Sequence, residues 1–458
     1  MEDKKYYCTR PFEWFAVLDN GDVSPCCPPW IDGYRIGNLY EQSVDEVWNG
    51  EKAQDFRRSI LDGSFEYCNS LSCPFLQSKT DSVLTLHQIE DINPLVHDDI
   101  KNEKTKLEHG PRVISCEYDR SCNLACPSCR RDLIMVFGEK RNKILELQDK
   151  IISEALPSAR HLTVTGSGDA FASPIFRKLL QRLSKENAPN LSEILILTNG
   201  LLIKKYWETL SEFSRENINS ISISIDAATE ETYVVNRKGG KWSQLLENLE
   251  FVQKLKQSDQ IDGFAMSMVV QENNFMEIKD FVLLAEKYGA GLVQLQIIEP
   301  DFIRDLGFLD YFTEWEKKAI QEKTHPLHQK FLAVLKDPFF DDYINNFSDH
   351  MRLSKGQREQ DALCMNIGPL YDLREGRDIS QRDEVLKEAN IIQENSDKKD
   401  VFFDGNVYYV NNDDVISIDY TDFVVLDTKL VVFWNGSSWQ ECKDKEKLRL
   451  MGMTDEQT

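Results

Sequence analysis

Between residues 112 and 298 the apolar positions follow two alternating rhythms. Short runs rich in Ile, Leu and Val recur at 112–118, 161–165, 193–198, 220–225, 263–270 and 292–298. Between them, apolar residues return at spacings of three and four. Ile144, Leu147, Ile151 and Ala155 form one such stripe, and Trp242, Leu245, Leu249 and Val252 form another. The first rhythm is that of buried strands, the second that of helices packed on them. Ser173-Pro174 offers an N-cap with proline at the first helical position, and Gly289 after Lys287-Tyr288 offers a stop. Repeated strand-then-helix order predicts a parallel α/β sheet with right-handed crossovers, either doubly wound or closed part-way into a barrel.

In both architectures ligands gather where the chain leaves the C-terminal ends of the strands. The first predicted strand is followed by Arg120-Ser121-Cys122-Asn123-Leu124-Ala125-Cys126-Pro127-Ser128-Cys129, the second by Gly166-Ser167-Gly168-Asp169, the third by Asn199-Gly200 and the fourth by Asp226. The fourth strand alternates Ile221, Ile223 and Ile225 with Ser220, Ser222 and Ser224, giving one apolar and one hydroxyl-lined face. A cubane iron–sulfur cluster normally takes four thiolates, so a loop supplying three leaves one iron open. An open coordination position marks a reactive metal site. Structural zinc with a fourth ligand from elsewhere is the alternative; the histidines nearest the loop are His109 and His161.

The flanks have different patterns. Residues 1–80 hold Cys8, Cys26, Cys27, Cys68 and Cys73 among turn signals. Asp19-Asn20-Gly21-Asp22 reads as a hairpin turn, and Val47, Trp48, Phe56 and Ile60 as a short helical region. Four thiolates gathered from these pieces make a closed iron–sulfur or zinc site that stabilises so small a segment. Beyond residue 300 a charged, mostly helical stretch leads to β-like runs after 401, with turns at Gly405-Asn406 and Asn435-Gly436.

Composition narrows the chemistry. The chain has 458 residues, 41% of them hydrophobic and 29% charged, with a net charge of −23. That charge argues against an extended nucleic-acid surface. The first residues lack the apolar core of a secretion signal, and no uncharged apolar run reaches the length of a membrane span, so a cytoplasmic protein is expected. In a reducing compartment the odd total of eleven cysteines, nine of them within the first 129 residues, reads as metal ligands rather than cross-links.

With these residues in view, Cys122-xxx-Cys126-xx-Cys129 after the first strand resembles the signature loop of the radical S-adenosylmethionine superfamily. The resemblance implies a partial (β/α)6 barrel over 109–300 and a 4Fe–4S cluster on those three cysteines. S-adenosylmethionine would chelate the open iron, and its one-electron cleavage would give methionine and a 5′-deoxyadenosyl radical that abstracts substrate hydrogen. Gly166, Ser167, Gly168 and Asp169 would form the cofactor-binding glycine motif. Ser224 and Asp226 would lie near the ribose, and Arg237 would reach the cofactor carboxylate. Ser128 stands where an aromatic is common, and Asp169-Ala170 where Glu-Pro is common.

The N-terminal segment is similar to the SPASM/twitch domain, which implies an auxiliary 4Fe–4S cluster on Cys8, Cys26, Cys68 and Cys73, with Cys27 an alternative to Cys26 and zinc to iron. That domain usually follows the barrel; here it precedes it. Residues 81–108 are expected as a linker, 301–400 as a helical extension and 401–458 as a small β-rich domain. A lone cysteine or carboxylate sometimes donates hydrogen or accepts a proton in such enzymes, which makes Cys116, Cys364, Glu117 and Glu299 candidates. The resemblance implies an oxidative modification of a peptide or a carbohydrate-like small molecule, with flavodoxin or ferredoxin as electron donor. A non-catalytic metal-binding scaffold is the competing reading.

Overall fold

The structure, a computed structural model, describes residues 5–298 apart from 32, 71–72, 74, 77–78 and 131–132, then 315, 317–345, 363–377 and 379, and three strands between 423 and 441. In chain order the first strands are β1 (Tyr6–Cys8), β2 (Trp14–Leu18), β3 (Asp22–Ser24), β4 (Gly37–Asn38) and β5 (Val83–Thr85). The six expected core strands follow as β6 (Val113–Glu117), β7 (His161–Val164), β8 (Glu193–Thr198), β9 (Ile218–Ser224), β10 (Gly263–Val270) and β11 (Leu292–Ile297). After them come β12 (Cys364–Asn366), β13 (Phe423–Asp427), β14 (Leu430–Trp434) and β15 (Trp439–Glu441).

One sheet of ten strands runs in the order β12-β11-β10-β9-β8-β7-β6-β2-β3-β4. The parallel stretch is wider than the sequence pattern suggests. β2 pairs parallel with β6, Trp14 opposite Val113 and Leu18 opposite Glu117. β12 pairs parallel with β11, Leu292 opposite Cys364. The consecutive β2 side chains Phe15, Ala16 and Val17 are all buried, so both faces of the strand are covered. The N-terminal hairpin therefore extends the barrel sheet instead of standing apart.

Register separates two faces. Ile114, Leu162 and Ile194 align on one, as do Ile223, Met266 and Val293. They are buried, as are the helical residues Ile144, Leu147, Ile151, Leu245, Leu249 and Val252. On the other face Ser115 aligns with Thr163, and Ser224 with Ser267 and Gln294. Ser173 caps the helix Pro174–Arg182 by accepting from the amides of Ile175 and Phe176, and Gly289 takes a left-handed φ of 74° after the helix Ile278–Tyr288.

One expectation about the flanks needs revision. The segment 81–108 is structured: β5 pairs antiparallel with β1, and the helices Leu86–Ile92 and Pro94–Lys101 follow it. Cys364 lies in β12 at the edge of the ten-stranded sheet. Within 401–458 the described strands β13, β14 and β15 form an antiparallel sheet; the turns at Gly405-Asn406 and Asn435-Gly436 lie outside the described residues. Among the described residues no helix is long and apolar enough to cross a membrane.

Arg57, in the helix Glu51–Asp62, fastens the N-terminal unit. Its fully buried guanidinium lies over the Trp48 ring at 4.3 Å and donates to the carbonyls of Pro11 at 2.9 Å and Thr105 at 2.8 Å. Arg57→Met leaves both carbonyls without their donor and should cost about 3 kcal/mol in stability. Denaturant midpoints of the two proteins check this, and equal midpoints contradict it.

Candidate active site and cluster cavity

The loop after β6 is held from several sides. Asp119 accepts from the amide of Ser121 at 3.0 Å and its hydroxyl at 2.8 Å, and also from the Ser173 hydroxyl. The Cys122 amide donates to Ile134 O at 2.8 Å, and that of Ala125 to Lys238 O at 3.0 Å. The amides of Cys129 and Arg130 both donate to Cys126 O at 2.9 Å, a turn that folds the third cysteine back toward the second. Cys122 and Cys126 are buried and Cys129 half-buried.

Each sulfur accepts from a different side chain. Asn199 Nδ2 donates to Cys122 Sγ and Arg237 Nη1 to Cys126 Sγ, each at 3.7 Å. Arg130 donates to Cys129 Sγ through Nε at 3.4 Å and Nη2 at 3.5 Å. Burial pushes the Cys122 thiol up to about 12, with Asp169 adding to it and Arg130 opposing. Burial likewise raises Cys126, against the guanidinium of Arg237. Metal ligation needs thiolates, so sulfurs this buried are stable in the charged form only beside positive charge. That donor set fits an iron–sulfur cluster.

Asp169 plays a different part from the one expected. Its carboxylate accepts from the amides of Phe171 at 3.0 Å and Ala172 at 2.7 Å through one oxygen, and from Thr198 Oγ1 at 2.8 Å and the Asn199 amide at 2.7 Å through the other. All four contacts are to the protein's own loops, so the carboxylate acts as a scaffold for them. A Cβ on Gly168 would lie 2.4 Å from Asp119 O, and one on Gly166 2.8 Å from Glu117 Cδ. Both positions need glycine because the loop and Glu117 press against them.

Asp226, at a left-handed φ of 60°, accepts from the Val269 amide at 2.8 Å and pairs with Arg237 Nη2 at 2.8 Å. Burial raises its carboxyl, and Arg237 opposes. Ser224 accepts from the Ser267 hydroxyl at 3.1 Å. Two buried donors nearby lack a partner among the described residues: Arg237 Nε and the Tyr233 hydroxyl. Orphaned donors of this kind fit the anionic end of a bound ligand such as the methionyl carboxylate. Tyr233 and Arg130 are not legible as site residues, since one reads as core and the other merely follows the third cysteine, whereas Asn199 stands on the strand-end rim in the sequence pattern.

The N-terminal cysteines converge separately. Cys8, Cys26, Cys68 and Cys73 line one cavity of about 340 Å3 of non-atom space, open mouth included, together with Arg10, Trp30 and Phe56. Cys27 is not in that lining; its carbonyl accepts from the Trp30 amide at the start of a short 3-10 turn. Burial pushes Cys26 up to about 11 and Cys68 to about 12, and the neighbouring Cys26 and Cys73 thiols add to the latter. Arg10 stacks on Trp14, Trp30 and Phe75 with its charge 4.5, 5.0 and 5.2 Å from the rings, and it opposes the shifts of Cys8 and Cys26. Two buried and two half-buried thiols beside one cation fit a closed cluster site.

Of the remaining candidates, Cys116 is fully buried and aligned with Val164 on the apolar face, and Cys364 is buried at the sheet edge. Glu117 is half-buried on the polar face and accepts from Ser115 Oγ at 2.8 Å. Glu299 lies outside the described residues.

The described residues thus hold two groups of thiols: Cys122, Cys126 and Cys129 in the loop after β6, and Cys8, Cys26, Cys68 and Cys73 around one cavity. The profile of the Radical SAM superfamily matches residues 118–285, and that of SPASM, an iron–sulfur cluster-binding domain, matches residues 8–74. The chain carries a radical SAM domain, with a SPASM domain ahead of it. These domains take S-adenosylmethionine with a 4Fe–4S cluster, and an auxiliary iron–sulfur cluster, respectively.

Among relatives, a GTP 3',8-cyclase of Alkaliphilus metalliredigens is 32% identical over 134 residues, which cover 28% of this chain and 39% of that protein. The mycofactocin maturase MftC of Mycobacterium ulcerans is 28% identical over 198 residues, covering 41% of this chain and 48% of that protein. The chain thus spans less than half the length of both. The crystal structure of Streptococcus suis SuiB bound to its precursor peptide SuiA aligns at 13% identity with a TM-score of 0.34, covering 84% of this chain and 77% of that one.

Burial is the largest influence on Glu117 and raises its pKa, while Ser115 and Arg35 oppose. A carboxyl raised on folding contributes stability that is complete below its ordinary pKa and is lost as pH rises through the folded value. Glu117→Gln removes that loss. The variant should gain on the parent protein in denaturant midpoint as pH rises from 5 to 8; a gap independent of pH contradicts the assignment.

Proposed function

We propose that this protein is a radical S-adenosylmethionine enzyme that abstracts hydrogen from a substrate C–H bond, with Cys122, Cys126 and Cys129 ligating the catalytic cluster and Cys8, Cys26, Cys68 and Cys73 the auxiliary one. The observation that carries this reading is the three-cysteine rim: three thiols, two buried and one half-buried, each with its own side-chain N–H donor, would leave one corner of a cubane free. When bound and reduced, the cluster and S-adenosylmethionine supply the 5′-deoxyadenosyl radical.

The chain's own residues position the reaction. The backbone of Gly166, Ser167 and Gly168 receives the cofactor's amino group, and Arg237 Nε and the Tyr233 hydroxyl donate to its carboxylate. Ser224 borders the ribose, and Asp226 orients Arg237. When a substrate radical is oxidised, Glu117 Oε2 would take the proton and the auxiliary cluster would take the electron. Held by its four cysteines, the auxiliary cluster would exchange electrons with a flavodoxin- or ferredoxin-type partner of the cytoplasm. In support, Ser24 pairs with Ala16, so Cys26 follows β3 on the end of the hairpin away from the Leu18–Glu117 rim. Relatives named as cyclase and maturase fit a small-molecule or peptide substrate.

Anaerobic reconstitution should load about eight irons per chain, and reduced protein should convert S-adenosylmethionine to methionine and 5′-deoxyadenosine. Replacing Cys122, Cys126 and Cys129 with Ala should leave about four irons and no cleavage. Cleavage persisting in that variant would sink the assignment, and absence of cleavage by the fully loaded parent would favour the scaffold reading. Tyr233→Phe should weaken cofactor binding about tenfold without loss of apo-protein stability, because the lost hydroxyl has no protein partner. Calorimetric titration and thermal melts check both arms; unchanged affinity contradicts the role given to the hydroxyl.

A further inference from the structure

The three N–H donors to the catalytic cysteines differ in charge. Asn199 is neutral. Arg237 is cationic, but Asp226 pairs with it at 2.8 Å, so its charge is balanced within the protein. Arg130 has no such balance: among the described residues no carboxylate lies within ion-pair distance of it, and the charges it feels most are those of Cys129, Cys122 and Cys126. Only 4% exposed, it cannot be screened by water as a surface arginine would be. Its fork is fully engaged. Nε and Nη2 donate to Cys129 Sγ at 3.4 and 3.5 Å, Nη1 to Arg120 O at 2.6 Å and Nη2 to Ser167 O at 2.6 Å.

We propose that Arg130 is a positioning residue that raises the reduction potential of the catalytic cluster through its paired N–H···S contacts to Cys129, and that it ties that sulfur to the glycine loop through Ser167. The inference rests on the cluster assignment above. A thiolate-ligated cluster gains negative charge when it takes up one electron, and a buried cation with N–H groups on a ligating sulfur favours the reduced form. The two carbonyl contacts hold the guanidinium in the plane that faces the sulfur. A lysine keeps the charge but loses the fork. The same guanidinium bridges the loop after β6 and the loop after β7, so the sulfur and the backbone expected to hold the cofactor's amino group share one clamp.

Reconstituted full-length Arg130→Met and Arg130→Lys proteins test this by redox titration followed by electron paramagnetic resonance, with the auxiliary cluster as internal reference. In the Met variant the reduced-to-oxidised ratio of the catalytic cluster at the parent's midpoint should fall at least tenfold, a shift of about 59 mV for a one-electron couple. The Lys variant should shift less, and the auxiliary midpoint should stay put. An unchanged catalytic midpoint in a Met variant that retains its irons overturns the proposal. If the Met variant fails to load, pulsed resonance on protein labelled with 15N-arginine decides. A nitrogen coupling at the reduced catalytic cluster that is lost in Arg130→Lys supports the proposal, and a signal indifferent to that change overturns it. A parent protein without any catalytic cluster overturns the wider assignment as well, which separates the two failures.

Discussion

The rim depends on a single buried carboxylate. Asp169 receives four hydrogen bonds, two from its own loop and two from the end of β8, while its amide donates to Ser121 O at 3.0 Å in the loop after β6. Three strand ends are thereby locked together below the cysteines. Asp119 does the same one step away, joining Ser121 to Ser173 at the start of a helix. Such a charge is tolerable under burial because every lone pair is used. The cost of hiding it is offset by fixing loops that on their own would wander, which is what a site with an open metal corner requires.

Around that lock the sheet carries both centres. β6 leads into the catalytic loop, and its neighbour β2 is flanked in sequence by Cys8 before it and Cys26 after the hairpin. The SPASM segment is therefore not a bead ahead of the barrel. Its strand is part of the same sheet, and β5 with the helices behind it closes the cavity by pairing Cys8 with Val83. Placing this domain before the barrel in sequence is compatible with a continuous sheet because parallel pairing at the β6 edge needs only a long connection, which residues 25–112 provide.

Much of this was legible in the chain. The six core strands announced themselves through period and punctuation, and the helical stripes fell on buried faces. The cysteine loop is picked out by its spacing and its place after the first core strand. What stayed hidden was decided by tertiary contact. Adjacent Cys26 and Cys27 cannot be told apart along a sequence, yet one lines the cavity and the other starts a turn. β12 is too short to show a period and exists because β11 offers an edge. Asp169 occupies the expected position, but its oxygens turn inward. Arg130, Tyr233 and Arg10 look like ordinary charge and core until the fold brings sulfur or another arginine beside them.

The central claim is that Cys122, Cys126 and Cys129 hold a cluster with one iron left for a ligand. Mössbauer spectroscopy of protein reconstituted with 57Fe, recorded with and without S-adenosylmethionine, tests it most directly. The account predicts that one iron of the catalytic cluster changes its isomer shift when the cofactor binds, while the auxiliary cluster does not respond. A spectrum that ignores the cofactor, or a response that survives loss of the three cysteines, would contradict it.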